Sequence, residues 1–123
     1  MEKIILDTNF LLIPARFNVD IFSEIDRICG KYKLYIIDKT VDELKKIIDT
    51  GKGKDKDAAK LALGLVENRK VEKIKTKEGT VDDLIISLDG YIVATQDKEL
   101  KRRLKEKDVK VISLRQKNYL IFG

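Results

Sequence analysis

The sequence predicts an α/β fold, a three-layer sandwich in which a central, mainly parallel sheet lies between two layers of helices. Short, unbroken apolar runs alternate with longer segments in which apolar residues recur at helical spacing. Strands without polar alternation are covered on both faces, and the helices between them make the right-handed crossovers of a parallel sheet. The chain has no internal repeat and no linker, so we expect residues 1–123 to form a single domain.

Six short runs predict the strands. Ile4 to Leu6 ends at Asp7, and the other central runs are equally apolar. Residues 71–74 combine apolar and charged side chains, which predicts a short or edge strand. The predicted strands are residues 4–6, 34–37, 71–74, 91–94, 109–112 and 119–122.

Five intervening segments predict helices, because their apolar residues recur every three or four positions. Gly30 follows the first of them as the expected C-cap, and Gly51 separates the second from the third. The predicted helices are residues 19–28, 41–48, 57–68, 81–88 and 98–107.

The composition narrows the chemistry that this chain can perform. Histidine is absent and Cys29 is the single cysteine, which excludes histidine-bound zinc, a cysteine metal cage, a Ser-His-Asp triad and an internal disulfide. Catalysis would then depend on carboxylates, hydroxyls, lysines or a metal bound by oxygen. Because no apolar run approaches the ~20 residues of a membrane span, and the start of the chain does not resemble a signal peptide, we expect no membrane contact and a cytoplasmic location.

Carboxylates follow the predicted strands or open the predicted helices. Asp7 follows the first strand and Asp97 follows a later one, so both belong to the sheet edge at which ligands bind. Glu43, Asp82 and Asp83 lie in the first turns of helices that could face the same edge. If these acids converge, they repel one another unless a cation lies among them, and oxygen ligands select Mg²⁺ or Mn²⁺.

A purely structural explanation also exists for these acids. Thr40 and Glu43 have the spacing of a capping box, in which the acid bonds back to the amide of the first residue, and Thr80 and Asp83 repeat it. Asp97 is a natural N-cap for the helix that follows it. Spacing alone leaves the structural and the functional explanations open.

Four motifs, in this order along essentially the whole chain, make the sequence resemble the PIN-domain nucleases. They are a strand ending in Leu6-Asp7-Thr8-Asn9, a helix start carrying Glu43, the acids Asp82-Asp83 before Leu84-Ile85, and a strand ending in Thr95-Gln96-Asp97.

The resemblance implies a metal-dependent endoribonuclease that acts on single-stranded RNA. Mg²⁺ or Mn²⁺ would bind to the acids, and metal-bound water would attack the phosphodiester and leave a 5′-phosphate and a 3′-hydroxyl. Asp83 matches the family pattern better than its neighbour Asp82, and the choice between them stays open. The implied catalytic residues and metal ligands are Asp7, Glu43, Asp83 and Asp97, with Asp82 as a further ligand, and the implied supporting residues are Thr8, Asn9 and Thr95.

Two branches of the family imply different cellular roles. Residues 92–104 and 111–117 resemble archaeal members that are similar to the small-subunit rRNA-processing nucleases of eukaryotes, which implies a pre-rRNA substrate and a ribosome-assembly partner. The alternative is a VapC-type toxin ribonuclease with an antitoxin partner, and a homodimer is open in either branch. Outside the enzymes, the alternative is a non-catalytic RNA-binding assembly factor, against which the intact set of acids argues.

Basic residues crowd the last predicted helix. The chain has 26 Lys and Arg against 21 Asp and Glu, a net charge of +5, and the local excess is strongest here. A solvated helix face would show the same pattern, whereas the functional interpretation is a phosphate track beside the acidic edge. The candidate RNA-binding residues are Lys98, Lys101, Arg102, Arg103 and Arg115.

Overall fold

The computed structural model describes residues 1–123 as six strands and seven helices. Each predicted strand and each predicted helix is present, with shifted ends. The strands are β1 (Glu2–Leu6), β2 (Tyr32–Ile37), β3 (Glu72–Ile74), β4 (Ile92–Ala94), β5 (Val111–Arg115) and β6 (Tyr119–Phe122). The helices are α1 (Thr8–Leu11), α2 (Ile13–Phe17), α3 (Ile21–Ile28), α4 (Asp38–Thr50), α5 (Gly53–Asn68), α6 (Val81–Ser87) and α7 (Lys98–Glu106).

One six-stranded sheet runs through the molecule in the order β3-β2-β1-β4-β5-β6. Strands β1 to β5 are parallel, and β6 pairs with β5 in the antiparallel direction. From β1 the chain builds outwards through β2 to β3, and it then returns to place β4 on the other side of β1. Such a reversal opens a crevice at the carboxyl ends of the two strands, here β1 and β4.

Helices cover both faces of the sheet, so the predicted three-layer sandwich is confirmed. Successive side chains of β1 point to opposite faces. Ile4 and Leu6 join the larger core under α1 to α5, and Ile5 joins the smaller core under α6 and α7. All three are fully buried, so β1 is anchored on both faces and fixes the position of the acid that follows it. No helix is long and apolar enough to span a bilayer.

Several local expectations were wrong. Gly30 is not the C-cap of α3, because the helix ends at Ile28 and the C-cap is Cys29, whose backbone is already extended. The fifth strand begins at Val111 rather than at residue 109, since Asp108 turns the chain in a left-handed conformation (φ 58°) after α7. Helices α1 and α2 were not expected, because four and five residues are too few to show a period.

Candidate functional site

Asp7 lies at the crevice between β1 and β4. Its N–H donates to the carbonyl of Ala94 (2.9 Å), which extends the pairing of these strands by one residue. Its carboxylate accepts hydrogen bonds from the Thr8 N–H (2.8 Å) and from the Thr95 hydroxyl (2.7 Å). Only 5% of Asp7 is exposed. These bonds and the burial fix the carboxylate in one orientation.

The loop after β4 is held by Asn9 and leads to the second acid. Oδ1 of Asn9 accepts a hydrogen bond from the Gln96 N–H (3.1 Å), and the Thr95 hydroxyl accepts one from the Asp97 N–H (3.1 Å). Asp97 caps α7 as predicted, because its Oδ1 accepts from the Leu100 N–H (2.9 Å). The other carboxylate oxygen of Asp97 bonds to no group of the chain and is available to a ligand.

Glu43 is not part of the predicted capping box. Helix α4 begins at Asp38, so Thr40 lies within the helix, where its hydroxyl is buried without a hydrogen-bond partner. The Glu43 carboxylate accepts instead from the Thr8 hydroxyl (2.5 Å), on the segment that follows the first strand. The structural explanation therefore fails for Glu43, which is held at the sheet edge and not at the start of its own helix.

The two adjacent acids of α6 point to different surroundings. Thr80 caps the helix as predicted, since its hydroxyl accepts from the Asp83 N–H (3.2 Å). The Asp83 carboxylate does not reach back to Thr80 but bonds to the Arg103 guanidinium (2.8 Å), and its side chain is 60% exposed. Asp82 lines the same pocket as Asp7. The structure thus brings Asp82 into the site and leaves Asp83 outside it.

A pocket of about 220 Å³ lies between these segments. Four carboxylates from separate parts of the chain line it, beside the predicted supporting residues Thr8 and Asn9. Thr95 is fully buried and acts through its bond to the first acid. Leu12 and Val81 supply the apolar wall, and no sequence pattern marks either of them. The lining residues are Asp7, Thr8, Asn9, Leu12, Glu43, Val81, Asp82 and Asp97.

Burial and mutual repulsion both disfavour the ionised forms of Asp7 and Asp82. Burial is the main cause that raises the pKa of Asp7 to about 6, and the charges of Asp82 and Glu43 add to it. The pKa of Asp82 is also raised, first by burial and then by the charge of Asp97. A cation in the pocket would relieve both costs, because it favours the ionised form of each carboxylate.

The donors of this pocket suit a hard divalent cation. They are carboxylate, hydroxyl and amide oxygens, which favour Mg²⁺ or Mn²⁺ over softer metals. As placed, no three acidic side chains converge closely enough to ligate one ion together. Glu43 and Asp82 extend from helices through rotatable side chains, whereas Asp7 is fixed. The donor chemistry therefore fits a divalent cation, and binding one through several carboxylates would require the side chains of Glu43 and Asp82 to turn towards Asp7.

The candidate RNA-binding residues fall into two groups. Arg102 and Arg103 form ion pairs with acidic side chains of α6 and α7. Lys98, Lys101 and Arg115 form no ion pair. The sequence pattern places all five near one another but does not show which of them are neutralised.

Comparison with known proteins assigns the family. Residues 4–117 match the family model described as a PIN like domain. The chain belongs to this family. It is 35% identical to Ribonuclease VapC4 of Methanocaldococcus jannaschii over 131 aligned residues, which cover 100% of this chain and 98% of that protein. It is 32% identical to Ribonuclease VapC9 of Archaeoglobus fulgidus over 109 residues, which cover 87% of this chain and 78% of that protein.

Solved structures share the PIN fold. The PIN domain endonuclease Utp24 superposes with a TM-score of 0.80 at 24% identity, over 98% of this chain and 90% of that chain. A domain of a functionally unknown protein from Methanocaldococcus jannaschii superposes with a TM-score of 0.55 at 16% identity, over 94% and 92% of the two chains. At these identities the likeness shows the fold alone. The PIN resemblance predicted from the four motifs is confirmed.

Replacing Asp7 by asparagine should stabilise the metal-free protein at neutral pH. A folded-state pKa of about 6, against 3.8 for an ordinary aspartate, makes ionisation of Asp7 cost about 3 kcal/mol of folding free energy. Because the folded pKa is the higher one, the neutral carboxyl of Asp7 makes its full contribution to wild-type stability below pH 3.8, and wild type loses that contribution as the pH rises through 6, whereas asparagine does not ionise. We expect the advantage of Asp7→Asn over wild type to grow by roughly 1 kcal/mol between about pH 5 and pH 7.5, in urea unfolding with EDTA.

Asp83→Asn is the matched control for this measurement. Its bond with Arg103 is the main cause that lowers the pKa of Asp83, so ionisation of this exposed carboxylate favours the folded state. The control should therefore show no gain of stability over the same pH range. A stability difference between Asp7→Asn and wild type that is independent of pH would contradict the account of the buried acid.

Proposed function

We propose that this chain is a metal-dependent endoribonuclease that hydrolyses phosphodiester bonds in single-stranded RNA. The observation that carries the proposal is the pocket at the β1–β4 crevice, which four carboxylates from separate segments line. Burial and repulsion disfavour the ionised forms of Asp7 and Asp82, a cost in folding free energy that a protein with a purely structural or scaffolding role gains nothing by retaining. Both curated relatives carry the name ribonuclease, which supports the same activity.

Asp7, Glu43, Asp82 and Asp97 are the proposed ligands of Mg²⁺ or Mn²⁺ and the proposed catalytic residues. When bound, the cation would activate a water molecule and stabilise the charge that develops on the phosphate. We propose Asp82 in place of Asp83 as the ligand from α6, because only Asp82 lines the pocket. We expect hydrolysis to leave a 5′-phosphate and a 3′-hydroxyl.

The supporting residues hold these acids in place. The Thr95 hydroxyl orients Asp7, and the Thr8 hydroxyl holds Glu43. Asn9 fixes the loop before Asp97 through the backbone of that loop. We propose that all three are positioning residues, which keep the carboxylates at the sheet edge before substrate arrives.

Cleavage of a labelled single-stranded RNA with Mn²⁺ tests the proposal. We expect wild type to cut, EDTA to abolish cutting, and Asp82→Asn to lower the rate by about 100-fold or more, because it removes a metal ligand. Asp83→Asn is the matched control, since it removes the neighbouring charge from outside the pocket, and it should stay within about three-fold of wild type. Circular dichroism should show both variants folded.

Two results would overturn this assignment. If wild type still cuts RNA in the presence of EDTA, the proposed metal dependence is wrong. Loss of activity in folded Asp83→Asn, with Asp82→Asn unaffected, would return the ligand role to the residue that the family pattern favours.

The cellular role has two candidates. The sequence motifs predict rRNA processing or ribosome assembly, with pre-rRNA as the substrate. The VapC-type toxin role is favoured by a specific observation, the 35% identity to Ribonuclease VapC4 over essentially the full length of both chains. An antitoxin, a ribosome-assembly partner and a homodimer stay predictions under either role.

Expression in a bacterial host distinguishes these roles. For a VapC-type toxin we expect induction of the wild-type chain to arrest growth and induction of Asp7→Asn to leave growth unchanged, because arrest then requires cleavage. Normal growth with wild-type protein that is folded, and that cleaves RNA after purification, would contradict the toxin role and favour rRNA processing.

A further inference from the structure

Three lysines form one stripe along α7. Lys98, Lys101 and Lys105 follow one another at spacings of three and four, which places them on the same side of the helix. The stripe starts beside the carboxylate pocket, because Asp97, which lines the pocket, is the N-cap of α7. Arg115, at the end of β5, lies close enough to Lys101 for their charges to repel. We call these four residues the lysine stripe.

The lysine stripe lacks acidic partners, unlike the rest of the helix. Glu99 and Glu106 both pair with Arg102, so the carboxylates of α7 are already engaged. Lys98, Lys101 and Arg115 make no ion pair, and Lys105 bonds only to a backbone carbonyl, that of Gly123 (3.4 Å).

Folding does not explain this arrangement. Lys98 occupies the first turn of α7, where the helix dipole disfavours a positive charge. Lys101 is half-buried, and this burial is the main cause that lowers its pKa. The positive charges of Lys105, Lys98 and Arg115 lower it further. No carboxylate offsets this cost, whereas an anionic ligand lying along the stripe would.

We propose that the phosphodiester backbone of single-stranded RNA runs from the carboxylate pocket along the lysine stripe. This inference rests on the proposed nuclease function and adds the path of the substrate. From Lys98 to Lys105 the helix rises about 10 Å, long enough to lie alongside about three stacked nucleotides that each rise ~3.4 Å along the strand axis. Arg102 and Arg103 lie outside this path, because acidic side chains already neutralise them.

Salt-dependent binding of RNA tests the path. The probe is a fluorescein-labelled oligouridylate of about 12 nucleotides, followed by anisotropy in EDTA, so that no cleavage occurs. The variant is Lys98→Gln/Lys101→Gln. The control, Lys107→Gln/Lys110→Gln, removes the same charge from the connection between α7 and β5, beyond the far end of the helix. Lys98→Gln also removes an unfavourable charge from the helix start, so the stripe variant should fold.

We expect the stripe variant to bind at least about ten-fold more weakly than wild type at about 100 mM salt. Its plot of log K against log salt should be flatter by about 1.4, because each lost contact with a single strand contributes about 0.7. The control should keep the wild-type slope. Equal slopes for the stripe variant and wild type, equal losses in both variants, or no binding by wild type up to about 100 µM would overturn the proposal.

Two further comparisons distinguish an RNA path from an acidic protein ligand, and the RNA path from the nuclease activity itself. Binding of an oligoglutamate peptide that depends on the lysine stripe, with oligouridylate binding independent of it, would overturn RNA as the occupant in favour of an acidic protein segment. Cleavage with Mn²⁺ is measured on the same preparations. If wild type cuts RNA while the stripe variant keeps the wild-type salt slope, the proposed RNA path is wrong and the nuclease function stands. If binding depends on the lysine stripe but wild type cuts no RNA, the nuclease function is wrong and the binding path stands.

Discussion

The hydrogen bond from the Thr95 hydroxyl to the Asp7 carboxylate is the interaction on which the site depends. It joins the carboxyl ends of β1 and β4 (2.7 Å, buried), where the order of the strands reverses. The same hydroxyl accepts the Asp97 N–H, so one side chain links the first and the last acid of the pocket. A buried carboxylate is unfavourable unless hydrogen bonds hold it, and Asp7 has two. The site is therefore a consequence of how the sheet is wound.

How much of the site could be predicted depends on which element carries each acid. The positions of Asp7 and Asp97 follow from the sequence, because residues after parallel strands meet at one sheet edge whatever the details of packing. Asp82 and Asp83 are adjacent on a helix, and only the packing of α6 decides which of them enters the pocket. The sequence could name both but could not choose between them.

Capping signals show the same limit. The pattern at Thr80 behaves as predicted for the threonine, because a loop precedes α6 and leaves that residue outside the helix. The matching pattern at Thr40 fails, because β2 passes directly into α4 and position 40 is already helical. The side chain of Glu43 therefore does not cap its own helix, and it accepts a hydrogen bond from the Thr8 hydroxyl instead. A local motif was thus overruled by the connection between two elements, which the motif does not describe.

The basic residues of α7 are a further feature whose roles the sequence could not distinguish. Composition shows an excess of cations, but the pairing of Arg102 with two glutamates and of Arg103 with Asp83 is visible only in three dimensions. What remains unpaired lies beside an acidic pocket that also costs folding free energy. The two unfavourable features are adjacent, and we interpret both as adaptations to a polyanionic substrate and a cation.

Anomalous scattering from a crystal soaked with Mn²⁺ tests the central claim most directly, because it locates the ion without reference to activity. The account predicts a peak in the pocket, ligated by Asp7 together with carboxylates from among Glu43, Asp82 and Asp97, with Asp83 still bonded to Arg103. The absence of a peak in the pocket, or an ion ligated by Asp83 with Asp82 turned away, would contradict it.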